Sequence, residues 1–186
     1  GKVLLVHDMV KTVPGEVIRL ALLSAHYRQP FDWTEDLLQQ SRKTMDRYYG
    51  LLRNVKDIPA ADLDVPHDFA SALEDDLNTP KAFAELAVIA KQLATAKNDI
   101  EKAEAKGALL AAGKLMGILQ QDAEVWCKGN IGDETTVLIE QKIVEIEEAR
   151  RVKDYKKADA LRQSLQDDYA VSVSVTPTGI TWRKEK

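Results

Sequence analysis

Glu147-Glu148-Ala149-Arg150-Arg151-Val152-Lys153-Asp154-Tyr155-Lys156-Lys157-Ala158-Asp159-Ala160-Leu161-Arg162 is the stretch on which the fold turns. Five basic residues fall within the eight positions from Arg150 to Lys157. Apolar residues precede the cluster at Ile139, Ile143, Ile146 and Ala149 and succeed it at Ala158, Leu161 and Leu165, a helical spacing on both sides. The cluster therefore lies where one amphipathic helix hands over to the next, with its charges off the buried face. A solvated helix surface is the ordinary reading of such a run. The residues beyond Leu165 shift the balance. Val171, Val173 and Val175 alternate with Ser172 and Ser174, a turn is expected at Thr176-Pro177-Thr178-Gly179, and Ile180-Thr181-Trp182-Arg183 makes a second short run. Two helices closed by a small hairpin form a terminal module suited to presenting a few polar side chains.

The chain as a whole has 186 residues, enough for one good core or two small ones, and its 45% hydrophobic content argues for a folded protein. No apolar run reaches the roughly 18 residues a membrane span needs, and no signal-peptide pattern opens the chain. Cys127, the single cysteine, leaves no internal disulfide framework and fits a reducing, cytoplasmic setting. His7, His26, His67 and Cys127 are scattered, without the paired spacing of metal ligands. A net charge of −4 gives no global pull toward nucleic acid, so any such binding must come from local patches. There is no Gly-rich phosphate loop and no Ser-His-Asp set by motif.

Upstream, Val3-Leu4-Leu5-Val6 reads as strand-like or buried and begins without a turn or cap, the mark of a chain that opens in mid-element. Pro14 starts a helix with Glu16 in its first turn; the helix is apolar nearly all round, so it is expected to be buried and to end at Pro30. Thr34 caps the next, with a stripe of Leu37, Leu38, Met45, Tyr48, Tyr49, Leu51 and Leu52, ending near Val55. A further helix is expected over 68–75. Asn78-Thr79-Pro80 starts a long one over 81–106, and Gly107 and Gly113 bracket another that reaches Leu119. Trp126 is read as a core anchor. Lys128-Gly129-Asn130-Ile131-Gly132-Asp133 is the one clear linker, with Asp133 placed to cap the next helix. The expected organisation is mainly α: a junction segment over 1–33, a helical bundle over 34–128, and a small α+β module of two helices and a hairpin over 133–186.

Four stretches together resemble the C-terminal half of the cysteinyl-tRNA synthetases, a class I aminoacyl-tRNA synthetase family. Pro14-Gly15-Glu16-Val17-Ile18-Arg19 through His26-Tyr27-Arg28-Gln29-Pro30 is similar to the segment directly after the family's Lys-Met-Ser-Lys-Ser loop. Asp75-Asp76-Leu77-Asn78-Thr79-Pro80 is similar to its Asp-Asp-Phe-Asn-Thr-Pro motif, and Gly179-Ile180-Thr181-Trp182-Arg183 to its terminal Gly-Thr-Thr-Trp-Arg. The basic stretch, from Ala149 to Tyr155 with Ala158 to Arg162, is the fourth. The resemblance implies tRNA(Cys) and the catalytic domain of the same enzyme as partners, with ATP and zinc belonging to that catalytic domain. The family's nucleotide-binding signatures would lie upstream of Gly1-Lys2, so aminoacylation by this polypeptide alone is not expected.

In the family the terminal module reads the GCA anticodon, and the resemblance carries two contacts onto Arg150 and Asp159. An arginine offers paired donors suited to guanine, and a carboxylate accepts from an exocyclic amine. A third family contact is acidic, and the matching position here is Val175, whose side chain cannot accept a hydrogen bond; that contact is lost or moves to backbone or to Ser174. Asp159 could instead simply pair with Arg162 or Lys156. Trp182 could stack on a base or brace the hairpin. Lys153 and Lys157 are read as phosphate contacts, and Arg19 and Arg28 as phosphate contacts or interdomain braces. Two other readings stay open: a free-standing tRNA-binding paralogue, and a helical adaptor that binds protein.

Overall fold

Proline and asparagine punctuation sets out the helices of the first half. The computed structural model describes residues 5–129, 131–176 and 179–185. Its elements are α1 (Val6–Met9), α2 (Gly15–Leu23), α3 (Glu35–Asn54), α4 (His67–Glu74), α5 (Thr79–Thr95), α6 (Asp99–Met116), α7 (Ala123–Lys128), α8 (Asp133–Arg151), α9 (Tyr155–Tyr169), β1 (Val171–Thr176) and β2 (Gly179–Lys184). The fold is mainly helical, with one small antiparallel hairpin among the described residues, as the residue pattern leads one to expect. The chain divides into two units, Gly1–Ala123 and Glu124–Lys186.

In the first unit α2 packs on α3, α4 on α5, and α5 on both α6 and α3. Thr34 caps α3 by accepting from the Leu37 N–H at 3.2 Å, and Asn78 caps α5 by accepting from Lys81 at 3.2 Å. The core is formed by Val17 and Ala21 of α2, Met45, Tyr48 and Tyr49 of α3, Phe69 of α4, Leu86 of α5 and Leu109 of α6. Each of the larger side chains among these contributes about 1.5–3 kcal/mol by leaving water, and Ala21 less.

A buried carboxylate ties the ends of this unit together. Glu16, only 8% exposed, accepts from the Tyr49 hydroxyl at 2.8 Å, the Leu119 N–H at 2.9 Å and the Gln120 N–H at 3.1 Å. The Tyr49 oxygen in turn accepts from the Gln121 N–H at 3.0 Å. Burial, and then Glu16 itself, push the Tyr49 phenol well above its ordinary range against the opposing pull of the Gln121 N–H. One turn along α2, the Arg19 guanidinium donates to the Gly117 carbonyl.

Several sequence expectations need correction. Leu5 and Val6 are neither strand nor buried: Leu5 is exposed and Val6 opens the short α1, while Val3 and Leu4 lie outside the described residues, as does Gly1-Lys2. α2 stops at Leu23, seven residues before Pro30, and it is not buried all round, since Arg19 and Leu22 face solvent. The single helix expected over 81–106 is two. Asn98 caps α6 by accepting from the Glu101 N–H at 2.9 Å, and the Glu101 carboxylate reaches back past the cap to accept from the Lys97 N–H at 2.7 Å. Gly107 and Gly113 then fall inside α6 rather than at its ends. Gly107 is there for closeness: a β-carbon would collide with the Ala61 carbonyl, and Ala61 N–H bonds to Ala103 of the same helix at 2.9 Å. Gly117, at φ 67°, is the residue that ends α6. Asp133 does not cap α8; it is the first helical residue and Gly132 stands at the cap. Asn130 of the linker lies outside the described residues.

The second unit has its own core. Ile139, Ile143, Ile146 and Ala149 of α8 meet Ala158 and Leu165 of α9, Val171 and Val173 of β1, and Trp182 of β2. Trp126 of α7 is buried too. β1 and β2 pair with Val173 opposite Trp182 and Val175 opposite Ile180, the register their alternation suggests. The expected turn residues Pro177 and Thr178 lie outside the described residues. Glu147 of α8 accepts from the Ile180 N–H at 3.2 Å, and Lys142 reaches from α8 to Ser164 and Asp168 of α9.

Candidate nucleic-acid interface

The basic stretch forms a tight corner. α8 ends at Arg151 and α9 begins at Tyr155, so three residues reverse the chain. Lys153 takes the left-handed conformation at φ 62°; its N–H bonds to the Arg150 carbonyl at 3.0 Å and that of Asp154 to the Ala149 carbonyl at 2.8 Å. Asp154 then caps α9, accepting from the Lys157 N–H at 3.1 Å. Burial of Ala149 and Ala158 pins the two helices behind the corner and leaves Arg150, Arg151, Lys153, Lys156 and Lys157 in solvent. Arg151 is paired with Glu148 at 2.7 Å. The side chains of Arg150, Lys153, Lys156 and Lys157 make no ion pair or hydrogen bond among the described residues. Four uncompensated cations thus share one corner of an acidic chain.

Beside that corner runs a groove between α9 and β1 of ≈ 330 Å³, with Asp159 and Arg162 on its α9 wall. Asp159 is 76% exposed and only loosely paired, 3.8 Å from Arg162. Arg162 donates to the Val173 carbonyl at 3.3 Å. The Glu185 N–H bonds to the Ala170 carbonyl at 2.7 Å, which sets the phase of the hairpin: counting in twos, Val171, Val173 and Val175 turn their backbone groups away from β2. Val175 is 53% exposed, so at the position of the expected acidic contact the chain offers an outward backbone edge beside the exposed Ser174. Trp182 is 4% exposed, with the Lys128 ammonium 5.3 Å from its ring centre and that ammonium paired to Glu140 at 2.9 Å. The ring belongs to the core, and its surface is largely spent on packing.

In the first unit, Arg28 projects from the turn after α2. It donates to the Tyr27 hydroxyl at 2.7 Å and to the Asp76 carboxylate at 3.1 Å, and Tyr27 donates to the same Asp76 oxygen at 2.7 Å. His26 stacks on Tyr27 with ring centres 4.8 Å apart. Asp76 and Leu77 both take positive φ, 51° and 52°, which the sequence does not announce because neither is glycine. Arg28 remains largely in solvent, whereas Arg19 is committed to Gly117.

Comparison with known proteins places this arrangement. A DALR domain matches residues 68–120, which is α4 to α6 and the residues held by Glu16. The cysteine–tRNA ligase of Maricaulis maris is 48% identical over 185 residues, 99% of this chain and 40% of that protein. That of Caulobacter vibrioides is 46% identical over 98% of the chain, and that of Rhodospirillum rubrum 44% over 99%, each again matched over 40% of its own length. By sequence the chain belongs with the C-terminal part of the cysteinyl-tRNA synthetase family. It spans about two fifths of the length of these curated relatives.

Seen as part of a cysteinyl-tRNA synthetase, the chain brings Asp159 to a groove and Arg150, Lys153 and Lys157 to one corner, while it buries Trp182. Arg162 lines the same groove as Asp159, a placement that sequence reasoning misses. Its signal is present, three positions after Asp159 on the same helix, but by pattern alone it reads only as a neutralising neighbour. Among the described residues no three His, Cys, Asp or Glu side chains gather as a metal site. No described helix is long and apolar enough to cross a membrane.

Proposed function

We propose that this chain is the tRNA-binding part of a cytoplasmic cysteine–tRNA ligase, and that its terminal module reads the anticodon of tRNA(Cys) for a catalytic domain of the same enzyme. The observation that carries this is the α8–α9 corner: four unpaired cations next to a solvent-exposed carboxylate, on a chain whose net charge is −4. Cations at a corner attract phosphates and fix the register of the strand without reading it. Reading falls to groups that meet base edges. Arg150 supplies a planar pair of donors, and Asp159 accepts from an exocyclic amine. Lys153 and Lys157 hold phosphate. In the first unit, Arg28 adds a phosphate contact steadied by Asp76, and Arg19 acts as a brace on the turn after α6.

The test is binding of the purified chain to tRNA(Cys) and to the same tRNA with each anticodon base replaced, at fixed salt. Arg150→Ala is expected to lose about 1–3 kcal/mol on the native anticodon and less once its contacted base is changed. Arg150→Lys is expected to be nearly as damaging, since an ammonium cannot form two parallel bonds. Lys153→Ala and Lys157→Ala are expected to weaken every tRNA alike and to flatten the salt dependence. Equal losses on all anticodons for Arg150→Ala would make it a phosphate clamp and refute the readout.

A further inference from the structure

A second groove, of ≈ 410 Å³, lies in the first unit between α3 and α5, with α2 at its side. Leu20 of α2 with Phe83, Ala84 and Ala87 of α5 make an apolar wall. Gln40, Ser41, Thr44 and Arg47 of α3 make a polar one. The fold leaves that polar wall idle. Ser24, Thr95 and Thr136 return their hydroxyls to a backbone carbonyl three or four residues back. The hydroxyls of Ser41 and Thr44, in the middle of α3, make no hydrogen bond among the described residues, and neither does the Gln40 amide. Ser41 is only 5% exposed, yet no sealed side-chain oxygen among the described residues goes without a partner. Its hydroxyl therefore keeps an opening, and the groove is what it lines. Arg47 is the only charged residue of the lining. Its guanidinium carbon stands 5.1 Å from the centre of the Tyr48 ring, and no carboxylate pairs with it among the described residues. Lys43, one turn before it on α3, is exposed.

We propose that this groove docks an amphipathic helix of a separate protein, apolar toward α5 and acidic along the edge that meets Arg47. The α3 side of the lining runs from Leu37 to Tyr48, about 16 Å or three turns, which is the reach of a helix laid along it and more than a compact ligand needs. Ala84 and Ala87 are short enough to let an incoming backbone settle close. Val88, 50% exposed and one turn beyond Ala84, carries the apolar wall further. Arg47 and Lys43 set the sign of the partner's charge. Ser41 and Thr44, three residues apart, offer hydrogen bonds to a polar side chain at the helix edge. A nucleic-acid strand fits poorly here, because one lining cation cannot compensate phosphates drawn out of water against Leu20 and Phe83.

The probe is a synthetic helix with leucines three and four residues apart along one face and glutamates along its edge, beside a twin that carries lysines instead. Fluorescence anisotropy on the intact chain should show the acidic helix binding about tenfold more tightly than its twin. Arg47→Gln should remove that preference. Ser41→Ala should weaken binding about 2- to 10-fold, one hydrogen bond's share, at an unchanged melting temperature, because the hydroxyl bonds nothing in the fold. Ala84→Leu puts a larger side chain into the groove from an exposed position and should abolish binding. Equal binding of both helices, binding indifferent to Ala84→Leu or to Ser41→Ala, or no binding at all overturns the proposal. Two further outcomes overturn it by naming another occupant. Self-association of the chain that Ala84→Leu abolishes would give the groove to a second copy. Loss of helix binding when the chain is joined to the remaining length of the Maricaulis maris ligase would give it to the enzyme's own body. None of these variants touches Arg150 or Asp159, so the anticodon reading stands or falls separately.

Discussion

Glu16→Ala is the substitution whose cost is read most directly from the structure. The carboxylate is 8% exposed and satisfies three donors: the Tyr49 hydroxyl and the backbone N–H groups of Leu119 and Gln120. Removing it orphans all three where water has little access, at about 1–3 kcal/mol each. These losses share one site and do not add fully, so a total of about 3–5 kcal/mol is expected. For a unit of this size that lowers the melting temperature by roughly 10–20 °C. Glu16→Gln is milder. Its carbonyl oxygen can keep Tyr49 and Leu119, which share one carboxylate oxygen, but its amide then faces the Gln120 N–H, donor against donor, at about 1–3 kcal/mol. The assay is thermal unfolding by circular dichroism, with hydrogen exchange at the Leu119 and Gln120 amides as the local readout. A Glu16→Ala variant that melts within about 1 kcal/mol of wild type, with both amides still protected, would refute the claim that this carboxylate holds the unit closed.

Tyr49 gives a pH signature: its phenol is raised above the ordinary 10.0, mainly by burial, so its stabilising share is full below pH 10.0 and is lost as pH rises beyond it. Tyr49→Phe should flatten that alkaline limb in pH-dependent unfolding; an unchanged limb would assign it elsewhere. Asp168 is held below its ordinary 3.8 by the Ser164 hydroxyl and then Lys142, so its contribution to the terminal module is present above pH 3.8 and fades as pH falls below it. Asp168→Asn should remove that acid sensitivity in unfolding of the module. Gly107→Ala should destabilise the first unit despite alanine's better helix propensity of about 1 kcal/mol, because the Ala61 backbone stands where the methyl must go; a stability gain on denaturant unfolding would contradict the close approach. Lys153→Gly should separate two readouts, gaining about 1 kcal/mol of module stability by relieving the left-handed residue while losing RNA affinity to the same degree as Lys153→Ala.

Where the sequence speaks through side-chain period or an isolated cap, it can be read. Thr34, Asn78 and the Val171-Val173 alternation each give a local signal that tertiary contacts do not contest. Where two signals overlap, the stronger hides the weaker. Asn98 and Glu101 are a helix start, but alanines at helical spacing run on both sides of them, and continuous periodicity masks a break of three residues. Gly107 looks like punctuation because glycine usually is; its actual role, room for the Ala61 carbonyl, depends on a segment more than forty residues away. The site divides the same way. That Arg150 to Lys157 forms a basic corner is legible, since helix period alone puts those charges outside. That Arg162 stands fixed and mostly unbonded beside Asp159 is not, because its anchor is a backbone carbonyl whose direction depends on the hairpin's phase.

The bonds from Glu16 also set a timetable for making the protein. Their partners lie 103 and 104 residues further along, so α2 leaves the ribosome long before the groups that satisfy it exist. At about 5–20 residues per second the wait is roughly 5–20 s. In that interval α2 can lean on α3, the next helix to emerge, but its acidic side chain has only the Tyr49 hydroxyl to meet. The unit therefore cannot close progressively behind the growing chain. Its final step is the arrival of residues 119 and 120, and until then the buried face of α2 depends on a half-built neighbour.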